Sequence, residues 1–313
     1  MNIEPRDEYM HENTGEENFN ESMYFNFYDR DHRLGGFVRI GNRPNEGYAE
    51  VTLALYRADG SAVFDYRRPE IPDNRAFDAG GMRFEVVEPF RRLRVRYRGE
   101  ALDLADPLLL EDPKRAFVES PRTWVSLELD VEGLSPIYGG QAEGDAPDMV
   151  FARGHYEQHV RATGTLGVGR STLPFRGLGL RDHSWGPRSW QSPRFYRWLT
   201  CQFDEGFGFM GSQIVTEAGR EILSGFVFRD GKNTLVERCE IETRWREPGP
   251  YHEEVRALLH TGEGTLEVEG RVLSLLPLRN RRHGRTTRIG EGLTEWRHGK
   301  HVGYGLSEYL DQT

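Results

Sequence analysis

The sequence contains only two cysteines in 313 residues and no Cys-x-x-Cys pair. Both thiols, Cys201 and Cys239, lie in strand-like runs, where lone cysteines of a reducing compartment usually pack as small apolar side chains. No glycine-rich phosphate loop follows a strand, and no Gly-x-Ser-x-Gly elbow occurs. We therefore expect no disulfide, no nucleotide cofactor and no zinc ribbon, and we predict a function that needs no cofactor.

Long apolar runs and an excess of positive charge are also missing. The first eight residues contain neither a basic nor an apolar signal region, and no apolar stretch is long enough to cross a membrane. The formal net charge of −9 would repel phosphate backbones and anionic lipid. These features predict a cytoplasmic protein with no nucleic-acid partner and no membrane span, and they do not specify an oligomeric state.

Glycine and proline are plentiful and spread along the chain, with 36 and 16 copies. From Leu34 onward apolar and polar residues alternate, and turn residues interrupt the pattern every ~8–12 residues, as in β-sandwiches and barrels. The Asp59-Gly60 pair between two such runs predicts a hairpin. The pattern indicates an all-β chain with few short helices, for instance around residues 113–118.

The length of 313 residues suits two domains. The best candidate boundary is the polar stretch 139–148, between a strand that ends near Glu132 and one that begins near Gly154. We therefore predict an N-terminal domain over residues 1–145 and a C-terminal domain over residues 146–313.

One strand-like run, from Phe90 to Arg98, has two faces of opposite character. Its apolar face carries Leu93, Val95 and Tyr97, and its basic face carries Arg92, Arg94, Arg96 and Arg98. We interpret the basic face as a surface that meets water or acidic side chains, rather than as a site for an anionic ligand.

The densest group of polar and aromatic residues lies in residues 177–190. In a strand, Arg181, His183 and Trp185 share one face, and Asp182 lies on the other. An imidazole beside a cation and an indole can act as a general acid or base, and an indole face can stabilise a carbocation. Alternatively, His183 and Arg181 only bond backbone carbonyls at a barrel rim. We favour the functional interpretation because further polar aromatic residues follow.

The next strand-like run, residues 196–204, has a mixed face that is typical of a ligand cavity wall. That face combines hydroxyl, indole, amide and carboxylate groups from Tyr196, Trp198, Thr200, Gln202 and Asp204. We expect it to point inward, like the face that carries His183. Asp204 has two interpretations, a buried acid or part of a turn, because Asp204-Glu205-Gly206 also predicts a hairpin turn.

Metal binding is one interpretation of His155, Glu157 and His159, which share one strand face. Residues two apart on a strand are ~6.5–7 Å apart, which long side chains can bridge around an ion, but the outer pair is ~13 Å apart. Three ligands from one strand therefore make a poor site. We expect a solvated or hydrogen-bonded face, or a contribution to acid/base chemistry, and we predict no metal site.

The segment Arg-Asp-His-Ser-Trp-Gly-Pro-Arg, from Arg181 to Arg188, resembles the hallmark segment of the carotenoid 1,2-hydratase and AttH-like superfamily. The run from Glu21 to Tyr28 is similar to the opening strand of its uncharacterised members. The resemblance covers the chain from about Asn20 to its end. It implies two lipocalin-like antiparallel β-barrel or sandwich domains in tandem.

In that superfamily a His-x-Trp pair, followed by an aromatic and an acidic residue, is associated with protonation of an isoprenoid double bond. His183 and Trp185 match the pair, and Asp204 is the nearest candidate for the acid, with Phe203 or Tyr196 as the aromatic residue. The resemblance also implies hydration, cyclisation or isomerisation of a lipophilic metabolite, generally without a cofactor.

We therefore predict a cofactor-independent acid/base enzyme, a hydratase, dehydratase, cyclase or isomerase, whose partner is a hydrophobic terpenoid-, steroid- or polyketide-like small molecule. Apolar surroundings would keep Asp204 or Asp182 protonated, so that it protonates an alkene. The catalytic candidates are Asp182, His183, Trp185, Tyr196 and Asp204, and the substrate-binding candidates are Arg181, Trp190, Trp198, Gln202 and Tyr24. The alternative is a non-catalytic carrier of lipophilic ligands with the same fold.

Overall fold

Strands dominate the structure, a computed structural model in which they hold 70% of the chain and helices only 6%. This confirms the predicted all-β class with few short helices. The helices are one α-helix, α1 (Pro113–Glu119), and three 3-10 helices, Pro5–Glu8, Pro44–Glu46 and Pro107–Glu111. The structure describes residues 3–141, 152–188, 190–282 and 284–313. In these ranges no helix is long and apolar enough to cross a membrane.

The chain divides into two compact units, Met1–Ala105 with Phe117–Ser189, and Asp106–Ala116 with Trp190–Thr313. The strands of the first unit are β1 (Phe19–Asp29), β2 (Leu34–Arg43), β3 (Tyr48–Tyr56), β4 (Ala62–Arg67), β5 (Phe77–Ala79), β6 (Met82–Glu88), β7 (Arg92–Leu104), β8 (Arg122–Gly133), β9 (Tyr138–Gln141), β10 (Gly154–Val168) and β11 (Ser171–Pro187). The predicted hairpin is confirmed, because β3 pairs with β4 across the Asp59-Gly60 turn.

The first unit is a single antiparallel sheet that closes on itself. Its strand order is β4-β3-β2-β1-β11-β10-β8-β7-β6-β5, with β9 paired to β10. Because β4 also pairs with β7, the strands from β4 to β7 in this order form a ring. Apolar side chains from alternate positions fill the ring, among them Met23, Phe25 and Phe27 of β1.

The outward face of β7 carries the predicted row of arginines, which meets acidic residues on β8. Arg94 Nε donates to Asp130 Oδ1 over 3.1 Å, and Arg98 donates to Glu128 over 2.9 Å. The basic face therefore pairs with acid, as expected from its alternation.

The second unit is a closed barrel of eight antiparallel strands in sequential order. They are β12 (Pro193–Asp204), β13 (Phe207–Thr216), β14 (Glu221–Arg229), β15 (Lys232–Trp245), β16 (His252–Thr261), β17 (Gly264–Arg282), β18 (Arg285–His298) and β19 (His301–Gln312). Apolar residues fill its core, including Leu199, Phe203 and Phe209. Cys201 and Cys239 are buried in this core, with no disulfide between them.

The predicted boundary between residues 145 and 146 lies outside the described residues. The strands on its two sides belong to one sheet, because β10 pairs with both β8 and β9, and β11 pairs with β1. The chain passes from one compact unit to the other between residues 105 and 106, between 116 and 117, and between 189 and 190. A polar, glycine-containing stretch can connect two strands of one sheet or two domains, so its composition could not distinguish the two cases.

Candidate functional site

The two faces of β11 carry different chemistry. Met23 of β1 lies opposite His183 and belongs to the apolar core, so His183 and its face neighbours Arg181 and Trp185 point into the first unit. Asp182 lies on the opposite, outward face. The predicted alternation of this segment is therefore correct, and each face has its own polar cluster.

The inward face builds what we call the inner cluster, which consists of Glu8, His11, Glu21, Tyr156, Arg181, His183 and Trp185. Its anchor is an ion pair in which the Arg181 guanidinium donates to both carboxylate oxygens of Glu8, over 2.6 and 2.9 Å. Neither side chain is exposed. Burial acts to raise the pKa of Glu8, but the charge of Arg181 and its hydrogen bonds outweigh burial and lower it.

The His183 ring lies between the Tyr156 hydroxyl, which is bonded to Glu8, and the Glu21 carboxylate. Its Nδ1 lies 3.2 Å from the Tyr156 hydroxyl, which donates to Glu8 over 2.7 Å, and its Nε2 lies 3.1 Å from Glu21 Oε1. His183 therefore bonds side chains, not the backbone carbonyls of the alternative interpretation.

The carboxylate of Glu21 is saturated with hydrogen bonds. Besides His183, it accepts from the backbone amide of His11 over 3.0 Å, from His11 Nδ1 over 2.7 Å, and from Asn74 Nδ2 over 2.6 Å. Burial acts to raise the pKa of Glu21, but the bonds from the two histidines lower it, so this buried carboxyl is ionised.

The segment before β1, which carries Glu8 and His11, covers the inner cluster. The His11 ring stacks on the indole of Trp185 with 3.8 Å between ring centroids, and Glu8 lies beneath Tyr156 and Arg181. Sequence reasoning missed Glu8 and His11, because a short polar segment without periodicity gives no signal of its buried partners. His183 and Trp185 are thus enclosed in this conformation.

The outward face of β11 contributes to a second group, the outer cluster of His155, Glu157 and Asp182. His155 Nε2 lies 3.5 Å from Glu157 Oε1 and 3.6 Å from Asp182 Oδ2. The His155 side chain is 41% exposed, whereas those of Glu157 and Asp182 are only 3% and 17% exposed. Tyr24 of β1 lies opposite Asp182 in the sheet register, and Asp182 lies opposite Glu157.

The charges of the outer cluster oppose the prediction that Asp182 is kept protonated. Burial acts to raise the pKa of Asp182, but the interaction with His155 outweighs it, so the pKa is lowered. The same carboxylates raise the pKa of His155 against the effect of burial. The expectation that Asp182 is kept protonated is therefore wrong, because it has a cationic partner.

The second predicted acid, Asp204, lies in the exposed turn after β12. Its Oδ1 accepts a hydrogen bond from the backbone amide of Gly206 over 2.8 Å. The turn interpretation is therefore correct, and the apolar surroundings expected to protonate Asp204 are not found around this exposed side chain.

The other candidates of the second unit lie on or beside β12. Leu199, Cys201 and Phe203 fill the barrel core, so the alternating face with Tyr196, Trp198 and Gln202 points out of the barrel. This corrects the expectation of an inward face. Trp198 and Gln202 are nevertheless buried, and neither amide atom of Gln202 has a hydrogen-bond partner among the residues that the structure describes. Trp190 is half-buried just before β12.

A polar cluster inside the second barrel was not predicted. His252 Nε2 lies 2.8 Å from Ser307 Oγ and 3.0 Å from its carbonyl oxygen, and the ring stacks on Tyr309 at 3.9 Å. Burial lowers the pKa of His252 to about 3, which keeps the ring neutral. The sequence places His252 at the start of a strand without neighbours that mark it as buried.

Solved structures with the same fold match nearly the whole chain. An AttH protein from Nitrosomonas europaea matches with a TM-score of 0.65 and 14% identity, over 94% of this chain and 92% of that one. CghA matches with a TM-score of 0.56 and 14% identity, over 95% and 88%. Kievitone hydratase from Nectria haematococca matches with a TM-score of 0.57 and 10% identity, over 93% and 88%.

At these identities the likeness shows a shared fold, and that fold agrees with the one that the resemblance implies. The comparison with curated proteins gave no match. A family comparison matches residues 4–313, which is nearly the whole sequence. On that match, the chain belongs to the family described as a domain of unknown function, DUF7064.

Proposed function

We propose that the chain is an enzyme that adds water to an apolar small molecule, or removes water from one, at the outer cluster. The observation that carries this proposal is the difference in access between the two clusters of β11. The His183 side chain is fully buried, whereas the His155 side chain is 41% exposed beside two carboxylates. A substrate can reach His155 without displacing the N-terminal segment that seals the inner cluster.

The outer cluster has the composition needed to orient a reacting water molecule. The carboxylates of Glu157 and Asp182 accept hydrogen bonds from water, and His155 is within 4 Å of both. In a hydration, one carbon of a double bond takes a proton of water and the other takes the hydroxyl group; dehydration is the reverse. Tyr24, opposite Asp182, supplies an aromatic ring beside this position, in keeping with the substrate-binding role expected for it.

The inner cluster has a supporting role in this proposal. Arg181 and His183 flank Asp182 along β11, so their buried bonds fix the backbone that presents the carboxylate. His183 and Trp185 are then positioning residues that do not touch the substrate. This differs from the role that the superfamily resemblance implies for them.

The proposed substrate class is supported by the superfamily resemblance and by a likeness in fold. Kievitone hydratase has this fold and adds water to its substrate, as its name says, which supports hydration over cyclisation or isomerisation. We propose an apolar alkene or alcohol of terpenoid, steroid or polyketide type. The support is a likeness in fold together with the polar chemistry of the outer cluster.

Labelled water tests the proposal. The protein is incubated in H2¹⁸O with a panel of terpenoid, steroid and polyketide alkenes and tertiary alcohols, and mass spectrometry follows ¹⁸O in the organic product. We expect label to enter at least one substrate, and His155→Ala to lose most of the rate. His260→Ala is the matched control, because His260 also pairs with a glutamate, Glu240, at 3.0 Å on the second unit. Equal rates in both variants would refute the site.

A non-catalytic carrier is the second candidate, and the buried Gln202 amide favours it. Two amide atoms without a partner among the described residues, on the same face as the buried indole of Trp198, are suited to hold a polar group of an apolar ligand. A carrier would retain a panel compound through gel filtration and introduce no ¹⁸O. An enzyme would introduce the label, so the same incubation separates the two.

A further inference from the structure

The outer cluster has the spacing of a metal site. The three ligand atoms, His155 Nε2, Glu157 Oε1 and Asp182 Oδ2, all lie within 4.8 Å of one another. The histidine nitrogen is 3.5 and 3.6 Å from the two oxygens, which is longer than a good N–H···O hydrogen bond. Ligands bonded to zinc at about 2.0–2.1 Å in a tetrahedron are about 3.3 Å apart. The distances between these ligand atoms are therefore closer to those between two ligands of one metal ion than to those of a hydrogen bond.

The inner cluster serves as an internal comparison, since His11, Glu21 and His183 are equally close together. There the nitrogens lie 2.7 and 3.1 Å from Glu21 Oε1, and the carboxylate already accepts bonds from Asn74 and the His11 backbone. Hydrogen bonds satisfy both carboxylate oxygens of Glu21, whereas His11 Nε2 is buried and has no hydrogen-bond partner among the described residues. In the outer cluster, by contrast, it is a carboxylate oxygen, Asp182 Oδ1, that is buried and has no hydrogen-bond partner in the described part of the chain.

The sheet register removes the geometric objection to a metal here. His155 and Glu157 are two residues apart on β10, and Asp182 lies directly opposite Glu157 on β11. Two neighbouring strands therefore supply three ligands around one point, whereas the one-strand set with His159 spans ~13 Å. The exposed side of His155 leaves a further coordination position open to solvent.

We propose that the outer cluster binds one divalent transition metal ion through His155, Glu157 and Asp182, with a water molecule in the open position. One nitrogen and two carboxylate ligands suit zinc, and three protein ligands with an open position are the arrangement of catalytic rather than structural zinc sites. As a source of the reacting water, the ion deepens the proposed function and rests on it. As a binding site it stands alone.

The competing explanation is electrostatic. Arg39 and Arg188 lie close enough to lower the pKa of Asp182, so they already offset part of the negative charge. If the positive charges of these two arginines and of His155 fully offset the negative charges of the two carboxylates, the site repels a metal ion.

Zinc binding decides between these explanations. The protein is treated with EDTA, dialysed and titrated with ZnCl2 by calorimetry, and CoCl2 is used as a second probe, because tetrahedral Co²⁺ absorbs visible light strongly. We expect one zinc per chain. His155→Ala and Asp182→Asn should each weaken binding more than about tenfold, since the loss of even a supporting group costs 10–100-fold. His260→Ala should bind as the unaltered protein does.

Two results would overturn the inference: no zinc binding by the unaltered protein, or binding that is equal in His155→Ala and Asp182→Asn. Circular dichroism establishes that the variants are folded, and the half-buried His155 packs less tightly than Asp182, so its variant remains a valid probe if Asp182→Asn fails to fold. The ¹⁸O assay, run on EDTA-treated protein with and without added ZnCl2, keeps the proposals apart. Label without zinc binding refutes the metal site alone, and zinc binding with no label in the presence of ZnCl2 refutes the hydratase alone.

Discussion

The ion pair between Glu8 and Arg181 should be essential for the stability of the first unit. Glu8→Gln keeps the shape of the side chain but leaves the Arg181 guanidinium buried, with no exposed surface and no counter-charge. Loss of one partner of a buried pair costs about 3–5 kcal/mol. For a unit of this size each kcal/mol lowers the melting temperature by roughly 2–4 °C, so we expect a fall of about 6–20 °C.

Urea denaturation followed by tryptophan fluorescence measures this loss. Asp130→Asn is the matched control, because it breaks the Arg94–Asp130 pair, whose side chains are 37% and 71% exposed, and such pairs contribute less than about 1 kcal/mol. Adding Arg181→Met to Glu8→Gln removes the stranded charge and should restore much of the stability. A loss in Glu8→Gln no larger than that in Asp130→Asn would show that the N-terminal segment does not hold the inner cluster together.

Three further predictions concern other residues. Because burial depresses the pKa of His252 to about 3 in the folded state, from about 6.5 when unfolded, its contribution is present above pH 6.5 and is lost as the pH falls towards 3. His252→Phe should therefore reduce the loss of stability between pH 7 and pH 4.5 by about 2.5 kcal/mol in urea titrations, and an unchanged loss would contradict a neutral buried imidazole. Gln202→Leu should leave the ligand-free protein as stable or more stable, since it removes an amide without partners among the described residues; a loss above about 2 kcal/mol would reveal a partner. If His183 is a positioning residue, ¹⁸O labelling should be lost in His183→Ala and retained in His183→Gln, whose amide can still bond Tyr156 and Glu21; loss in both would indicate that His183 itself reacts.

The fold class could be predicted because it depends on local pattern. Alternation over single strands identified the β structure and the two faces of β11, and it placed the arginines of β7 on one side. The Asp59-Gly60 turn gave the β3–β4 hairpin. Each of these features is decided by residues next to one another in the chain.

The sites depend on contacts between distant residues, which the pattern does not specify. Glu8 and Arg181 are 173 positions apart, and nothing around Glu8 marks it as a buried partner. The position of Asp182 opposite Glu157 depends on the register of β10 against β11, and a shift of one residue would turn either side chain to the other face. Sequence reasoning therefore named Asp182 and tested His155 and Glu157, but grouped the histidine and the glutamate with His159 instead.

The rate of ¹⁸O incorporation in two aspartate variants tests the central claim most directly. Asp182→Asn alters the outer cluster. Asp204→Asn alters a residue of an exposed turn, and this residue is the acid that the superfamily resemblance implies. The account predicts that labelling is lost in Asp182→Asn and unchanged in Asp204→Asn, with both variants folded by circular dichroism. Labelling that persists in Asp182→Asn and disappears in Asp204→Asn would contradict it.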